Sequence, residues 1–515
     1  MVNLTHRGRP SRLALATLFL SVAVAISAHV GTSNAYFDGL AGPYGIRVIV
    51  RTPGVIPGLA EASVRVTSDH SVDQITVRPL RSDVGLAGAP RADVAQSVPG
   101  EPNHYSAELW LMTSGSYSVE VTVTGPAGEG TALIPVLAIA ERRLDMHPMM
   151  SAALVGGTLF LFIGAITIFG AAVRESVLNP GIQADSRHRR RGRIAMVVGG
   201  FALSAMLWGG WFWWDEVDAA YRDRLYQPWS TLASVAPGSN SRMLTLTIDD
   251  PEWNGRRWTP LMPDHGKLMH MFLVQEPDMT AFAHIHPVPD PALEDHSAFA
   301  VALSPALPAG DYRIYADIVH ETGFAPTLVN RVRVPPASRV DRNADTGPIP
   351  DPDDSFASLV PLGASDGDLY RLSSGRTVRW ERDEQPALTV DAETTLTFAV
   401  TETTGAPSVL LPYMGMLSHA AVLREDGEVF IHLHPGGSIN LAAQTSFEQA
   451  EGIGQGALAH RDHTAQPALA DAATNVVTFP FVFPTTGRYR IVVQVKIEDT
   501  VETAAFDVEV VADPS

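Results

Sequence analysis

Two long runs without an ionisable side chain, Met149 to Val173 and Ile194 to Trp214, constrain this chain more than any other feature. Each is long enough to cross a bilayer as a helix. In hydrocarbon the backbone must satisfy its own hydrogen bonds, and a helix does so within one segment. Between them, RESVLNPGIQADSRHRRRGR carries six arginines from Arg174 to Arg193. Such loops stay on the cytoplasmic side, and Trp208, Trp211, Trp213 and Trp214 suit an aromatic belt at the outer interface. The sequence therefore predicts a transmembrane hairpin over 149–214, with spans 149–173 and 194–214 and loop 174–193 inside. Residues 36–148 and 215–515 then lie outside. With no ionisable group in the spans, the expected role is an anchor, not an ion path.

The N-terminus agrees with this orientation. MVNLTHRGRPSR is basic, and LALATLFLSVAVAISA follows it. That order predicts a secretory signal over 1–35, with Ser33-Asn34-Ala35 as the small-x-small cleavage pattern. The alternative is an uncleaved anchor helix. A bacterial plasma-membrane protein with extracytoplasmic domains is the resulting expectation.

Charge and cysteine content narrow the chemistry. A net charge of −19 argues against a nucleic-acid partner, which needs clustered Lys and Arg. Cysteine is absent, so disulfides, thiol nucleophiles and thiolate metal sites are excluded. A metal site must be built from His, Met or carboxylate.

The outer segments predict a mainly β protein: three immunoglobulin-like or cupredoxin-like β-sandwich domains on the helical hairpin. In 36–148, the runs GIRVIV, ASVRV, QITVRPL, YSAELWL and GSYSVEVTV are short, apolar and separated by turns, as in a sandwich. The stretches GPYGIRVIVRTPGVIPGLAEASVRV and YSAELWLMTSGSYSVEVTVTGPAGEG resemble the FixH/YtkA-like extracytoplasmic domains over about 100 residues. That resemblance implies a β-sandwich in a membrane protein linked to copper handling or oxidase assembly. His70 and His104 have no chelating spacing, so no metal site is expected in this domain.

After a connector at 215–240, two related units are expected at 241–337 and 361–513, joined by an acidic, Pro-rich linker at 338–360. Pro263, Gly266, Leu268, His270, His284, His286 and Pro287 fall on Pro412, Gly415, Leu417, His419, His432, His434 and Pro435, with one residue of slippage in the intervening turn. GDYRIYADI likewise matches GRYRIVVQV. An internal duplication accounts for the pattern.

The duplicated histidines carry the chemistry. Residues i and i+2 of a strand share a face, roughly 6–7 Å apart. His284 and His286 therefore pair, as do His432 and His434. A hairpin brings His270 within cross-strand reach of the first pair and His419 within reach of the second. Three imidazoles on two strands form a metal shell suited to copper or zinc, and nearby thioethers favour copper, especially Cu(I). Two sites are expected, one per unit. Possible auxiliary ligands are His265, Met269 and Met271 in the first copy and Met414 and Met416 in the second. His320 is a further candidate for the first site.

The plainer alternative is structural imidazoles at strand ends. A cupin is disfavoured because its glutamate, four or five residues past the second His, is missing; Glu294 comes eight residues on. A blue-copper site lacks its cysteine. His460 and His463 lie in a Gly/Ala-rich loop, and His147 with Met146, Met149 and Met150 marks the start of the first span; neither group is expected to be a site.

The units HGKLMHMF…FAHIHP and MGMLSHAAV…FIHLHP are also similar to secreted bacterial proteins of copper-associated loci, which implies copper association without a mechanism. Buffering copper, or delivering it to an exporter or to an oxidase under assembly, is the expected function. A metal-independent scaffold of a membrane complex such as a respiratory oxidase is the alternative. No catalytic constellation stands out, so an enzyme is not expected.

Overall fold

The computed structural model describes residues 34–176, 178–179, 181–237, 242–254, 261–290, 297–337, 351–364, 367–382, 387–452 and 475–513. The expected signal segment up to residue 33, most of the linker, and His460 and His463 lie outside them. The chain is mainly β, with seven sheets among the described residues.

Helices α1 (Pro148–Glu175) and α2 (Ser186–Arg222) are both long and apolar enough to cross a membrane. They pack where side chains are smallest: a Cβ on Gly192 would lie 2.9 Å from the Gly170 carbonyl oxygen, and one on Gly170 would strike Met196. Close backbone approach at glycine is how helices associate when solvent offers no hydrophobic drive. The element boundaries differ from expectation at both ends of α2. The arginine-rich segment is largely its first turns, and the connector's first residues continue it to Arg222. There Asp218 meets Arg143 at 2.7 Å, which ties the helix to the preceding β region. The rest of the connector includes strand Thr231–Pro237, paired with Arg242–Ile248.

Residues 35–138 form a five-stranded and a four-stranded sheet that enclose one core, including Ile46, Val48, Val64, Val119, Val121 and Ile134. Apolar side chains alternate inward along these strands, the period-2 pattern that makes one face of a sheet a core.

The two histidine-bearing units share a strand order. In the first, strands β1 (His270–Gln275), β2 (Ala281–Ile285) and β3 (Gly310–Asp317) lie in one sheet, with β1 between β2 and β3 and with Thr327–Val334 outside β3. In the second, β4 (Ser418–Arg424), β5 (Phe430–Leu433) and β6 (Gly487–Ile497) repeat it, with Thr500–Val511 outside β6. The registers Phe272↔His284 and Ala421↔His432 fix which side chains share a face.

Both faces of these sheets are buried. Met269, Met271, Leu273, Ala281, Ala283 and Ile285 enter the first unit's own core. The alternate residues Phe272, Val274 and Phe282 instead meet Ala421, Leu423, Phe430 and Val492 of the second unit in a shared cluster. Tyr315 stacks on Phe430 with centroids 4.2 Å apart and planes 8° from parallel. Each Phe or Val removed from water there contributes about 1.5–3 kcal/mol. Arg490, fully buried, pairs with Asp507 at 2.7 Å and donates to the Met279 carbonyl at 2.8 Å across the junction. The units thus pack sheet against sheet, and the histidines lie on the faces that meet.

Candidate metal centre

The parity that sends Phe272 and Phe282 into the junction sends His270, His284 and His286 there too, because they share that face. His419, His432 and His434 follow from Ala421 and Phe430 in the second unit. The two expected sites are therefore one cluster. Ring centroids lie 5.1 Å apart for His270 and His286, and 5.0 Å for His419 and His434. Across the units, His270 and His432 are 5.5 Å apart and His284 and His419 are 6.1 Å apart.

His265 is the seventh member. It occupies a left-handed backbone position (φ 49°) just ahead of β1, in a tight turn in which Asp264 and Lys267 exchange backbone hydrogen bonds. Its ring crosses to the second unit, 4.8 Å from His434 and 5.7 Å from His419. Two trios result: His270, His284 and His286, and His265, His419 and His434, the nitrogens of each lying within 4.8 Å of one another.

Burial decides the protonation. His284 is 0%, His419 1% and His270 2% exposed. Desolvation pushes the imidazoles of His270, His284, His419 and His434 well below their ordinary value, and the neighbouring histidines push the same way. These four rings are neutral at pH 7.

The hydrogen bonds then place the lone pairs. A carbonyl only accepts, so His270 donates Nε2–H to Asp264 O at 3.0 Å and carries its lone pair on Nδ1. His284 Nδ1 faces Gln494 Oε1 at 3.0 Å and Tyr413 Oη at 3.2 Å. Tyr413 gives its proton to Asp353 O, and the Gln494 amide nitrogen is directed at Ser355 and Thr503. Burial raises the Tyr413 phenol, which keeps that proton. With this assignment His284 carries its proton on Nδ1 and its lone pair on Nε2. His270 Nδ1 and His284 Nε2 are 3.2 Å apart. Two imidazole ligands on one tetrahedral ion with bonds of about 2.05 Å sit about 3.3 Å apart, close to this separation.

Carboxylates orient two more rings. His286 Nδ1 is 2.9 Å from Asp354 Oδ1, and His432 Nδ1 is 3.3 Å from Asp317 Oδ2. A ring that donates through Nδ1 presents Nε2, the usual arrangement behind a metal-bound histidine. Among the described residues, His286 Nε2, His432 Nε2 and both ring nitrogens of His419 and His434 have no hydrogen-bond partner. Buried polar atoms left so cost about 1–3 kcal/mol each.

The units hold each other's rings. Asp317 ends β3 and reaches His432 of the second unit; Gln494, its counterpart in β6, reaches His284 of the first. Sequence reasoning missed Asp317, Gln494, Asp354 and Tyr413. Asp317 and Gln494 had a signal: they are aligned polar residues within the apolar runs Ile314–Ile318 and Ile491–Val495. Asp354 and Tyr413 had none.

Three other expected ligands, Met269, Met271 and His320, lie away from the cluster. Met269 and Met271 are fully buried in the first unit's core, because they alternate with His270 along the strand. His320 bonds Thr322 and pairs across a two-stranded ladder with Leu261, so it does not join the cluster. Met414 has the same left-handed turn geometry as its counterpart His265 (φ 51°) and is 8% exposed, and Met416 closes that turn through backbone bonds with Tyr413. A cavity of about 130 Å³ reaches His432 and His434, with Asp317, Asn440, Ala443 and Val136 in its walls.

Residues 228–334 and 372–512 match a family described as a domain of unknown function (DUF8832), and these segments contain all seven histidines. No curated protein matches the chain. Among solved structures, the fibronectin(III)-like modules of Clostridium thermocellum CbhA align at 10% identity and a TM-score of 0.20, covering 58% of this chain and 98% of that one. The FN1-FN3 domains of chicken CNTN1 align at 8% identity and a TM-score of 0.13, covering 90% and 97%. Scores this low add nothing to the architecture read from the strands.

Proposed function

We propose that this chain is a membrane-anchored extracytoplasmic copper-binding protein that buffers copper or delivers it to an exporter or to an oxidase under assembly. The observation that carries the reading is the buried convergence of seven histidines, with His270 Nδ1 and His284 Nε2 only 3.2 Å apart and each trio's nitrogens within 4.8 Å of one another. Copper is favoured over zinc on two grounds. It heads the divalent affinity order for nitrogen donors. Four of the donors, His270, His284, His419 and His434, are held neutral by burial, and burying a singly charged ion such as Cu(I) among them costs less than burying a doubly charged one. The thioether argument for copper no longer draws on Met269 or Met271.

The anchor reading is supported by α1 and α2, whose apolar surfaces are exposed and whose adjoining ends carry the six arginines. In this reading both flanking β regions lie outside the membrane.

The test is metal loading of the full chain in detergent with Cu(I), Cu(II) and Zn(II) in turn, followed by elemental analysis. A variant with His270, His284, His286, His419, His432 and His434 all changed to Ala is loaded alongside. Copper retained by the wild type and lost in the folded variant supports the reading. A folded wild type that retains no metal refutes it, and the metal-independent scaffold then takes its place.

A further inference from the structure

We propose that the centre holds two ions as one dinuclear unit, the first on His270, His284 and His286 and the second on His265, His419 and His434. This rests on the metal-binding reading above and adds stoichiometry, ligand assignment and coupling. Each trio gathers three imidazole nitrogens within 4.8 Å, the ligand count of an open tetrahedral site.

Duplication alone does not produce these trios. It would give His419, His432 and His434 as the second set. The structure instead brings in His265 from the first unit, and His432 belongs to neither trio. The His432 ring lies between them, 5.5 Å from both His270 and His419, 5.6 Å from His284 and 4.5 Å from His434. Its Nδ1 is held by Asp317, and its Nε2 has no hydrogen-bond partner among the described residues. That is the position of a ligand shared between two ions or exchanged from one to the other. The trios also touch directly, with His265 and His270 centroids 6.1 Å apart.

Charge favours cations: Asp354 lies on His286, Asp317 on His432, and the buried Asp264 3.9 Å from His265, with the Asp354 side chain only 5% exposed. The halves are not equivalent, because the counterpart of His265 is Met414, so the two ions differ in affinity.

The test uses the full chain in detergent, loaded with Cu(I) for stoichiometry and with Cu(II) for electron paramagnetic resonance. Two coppers per chain are expected in the wild type and one in His265→Ala. The Cu(II)-loaded wild type should give a spin-coupled spectrum, and His265→Ala an isolated single-copper signal. Should His265→Ala fail to fold, His284→Ala, which opens the other trio, gives the same reading. One copper per chain in the wild type, or two with uncoupled spins, overturns the dinuclear proposal and leaves the metal-binding reading intact. No copper in the wild type removes both.

Discussion

The metal-free protein should lose stability steeply between pH 7.5 and 5.5. Four histidines, His270, His284, His419 and His434, are held well below their ordinary value, chiefly by burial. In the unfolded chain each titrates near 6.5. A depressed histidine leaves the unfolded state binding the extra proton, so its contribution is fully present above about pH 6.5. It is lost as pH falls from there towards the folded value. Each such histidine weakens the fold by at most about 1 kcal/mol per pH unit below 6.5, for as long as its folded ring stays neutral, and the four act in the same direction. The assay is urea unfolding of the metal-free chain in detergent, followed by near-ultraviolet circular dichroism, at half-unit pH steps. The midpoint should fall across this window, and His419→Gln, with one of the four groups removed, should show a smaller shift. A wild-type midpoint that stays constant from pH 7.5 to 5.5 would refute neutral, buried imidazoles and the lone-pair geometry built on them.

Three other outcomes follow from particular contacts. Met269→Leu and Met271→Leu should leave copper stoichiometry unchanged by elemental analysis, because both side chains belong to the first unit's core. Such volume-conserving swaps cost less than about 1.5 kcal/mol in stability. Asp354→Asn, which weakens the hydrogen bond that orients His286, should lower copper affinity about 10–100-fold in chelator competition, and an unchanged affinity would detach Asp354 from the centre. Gly437→Ala should loosen the strand that pins the loop after His434. A Cβ there would sit 1.9 Å from the Tyr36 carbonyl oxygen, at a φ of +119° that side chains avoid. Faster hydrogen exchange at Asp38 and Ser438, whose amides bond across this contact, is the expected sign.

The strand content, the apolar helices and the six paired histidines were legible because each leaves a local signature. Period-2 alternation marks the strands, a run of apolar residues marks each helix, and His-x-His fixes a shared face. What the sequence hid was which face. MHMFLV and SHAAVL are apolar on both sides of the strand, which signals a sheet buried on both faces. With both sides apolar, parity alone leaves the outer face looking like an ordinary strand exterior. The partner that covers it is the other unit, about 150 residues away in sequence, and no local pattern names it. The methionines misled for the same reason. Met269 and Met271 neighbour His270 in sequence, yet alternation turns them to the opposite side of the sheet. His265 was visible as a candidate, but its destination in the second unit depends on how the sheets stack.

That stacking also explains what the duplication contributes. One hairpin offers three imidazoles on one face of one sheet, open to water, where they would titrate near neutrality and exchange ligands freely. Pressing a second copy against it buries both sets and keeps His270, His284, His419 and His434 neutral. It also lets each unit steady the other's histidines through Asp317 and Gln494. The cost is visible in the buried nitrogens without partners on His286, His419, His432 and His434. At about 1–3 kcal/mol apiece, such atoms weaken a fold held by apolar contacts such as Phe272 on Phe430. The same contacts could have formed with Leu or Val at those positions and no polar atoms left over. In the proposed metal-binding role, an ion held at those nitrogens returns the lost energy.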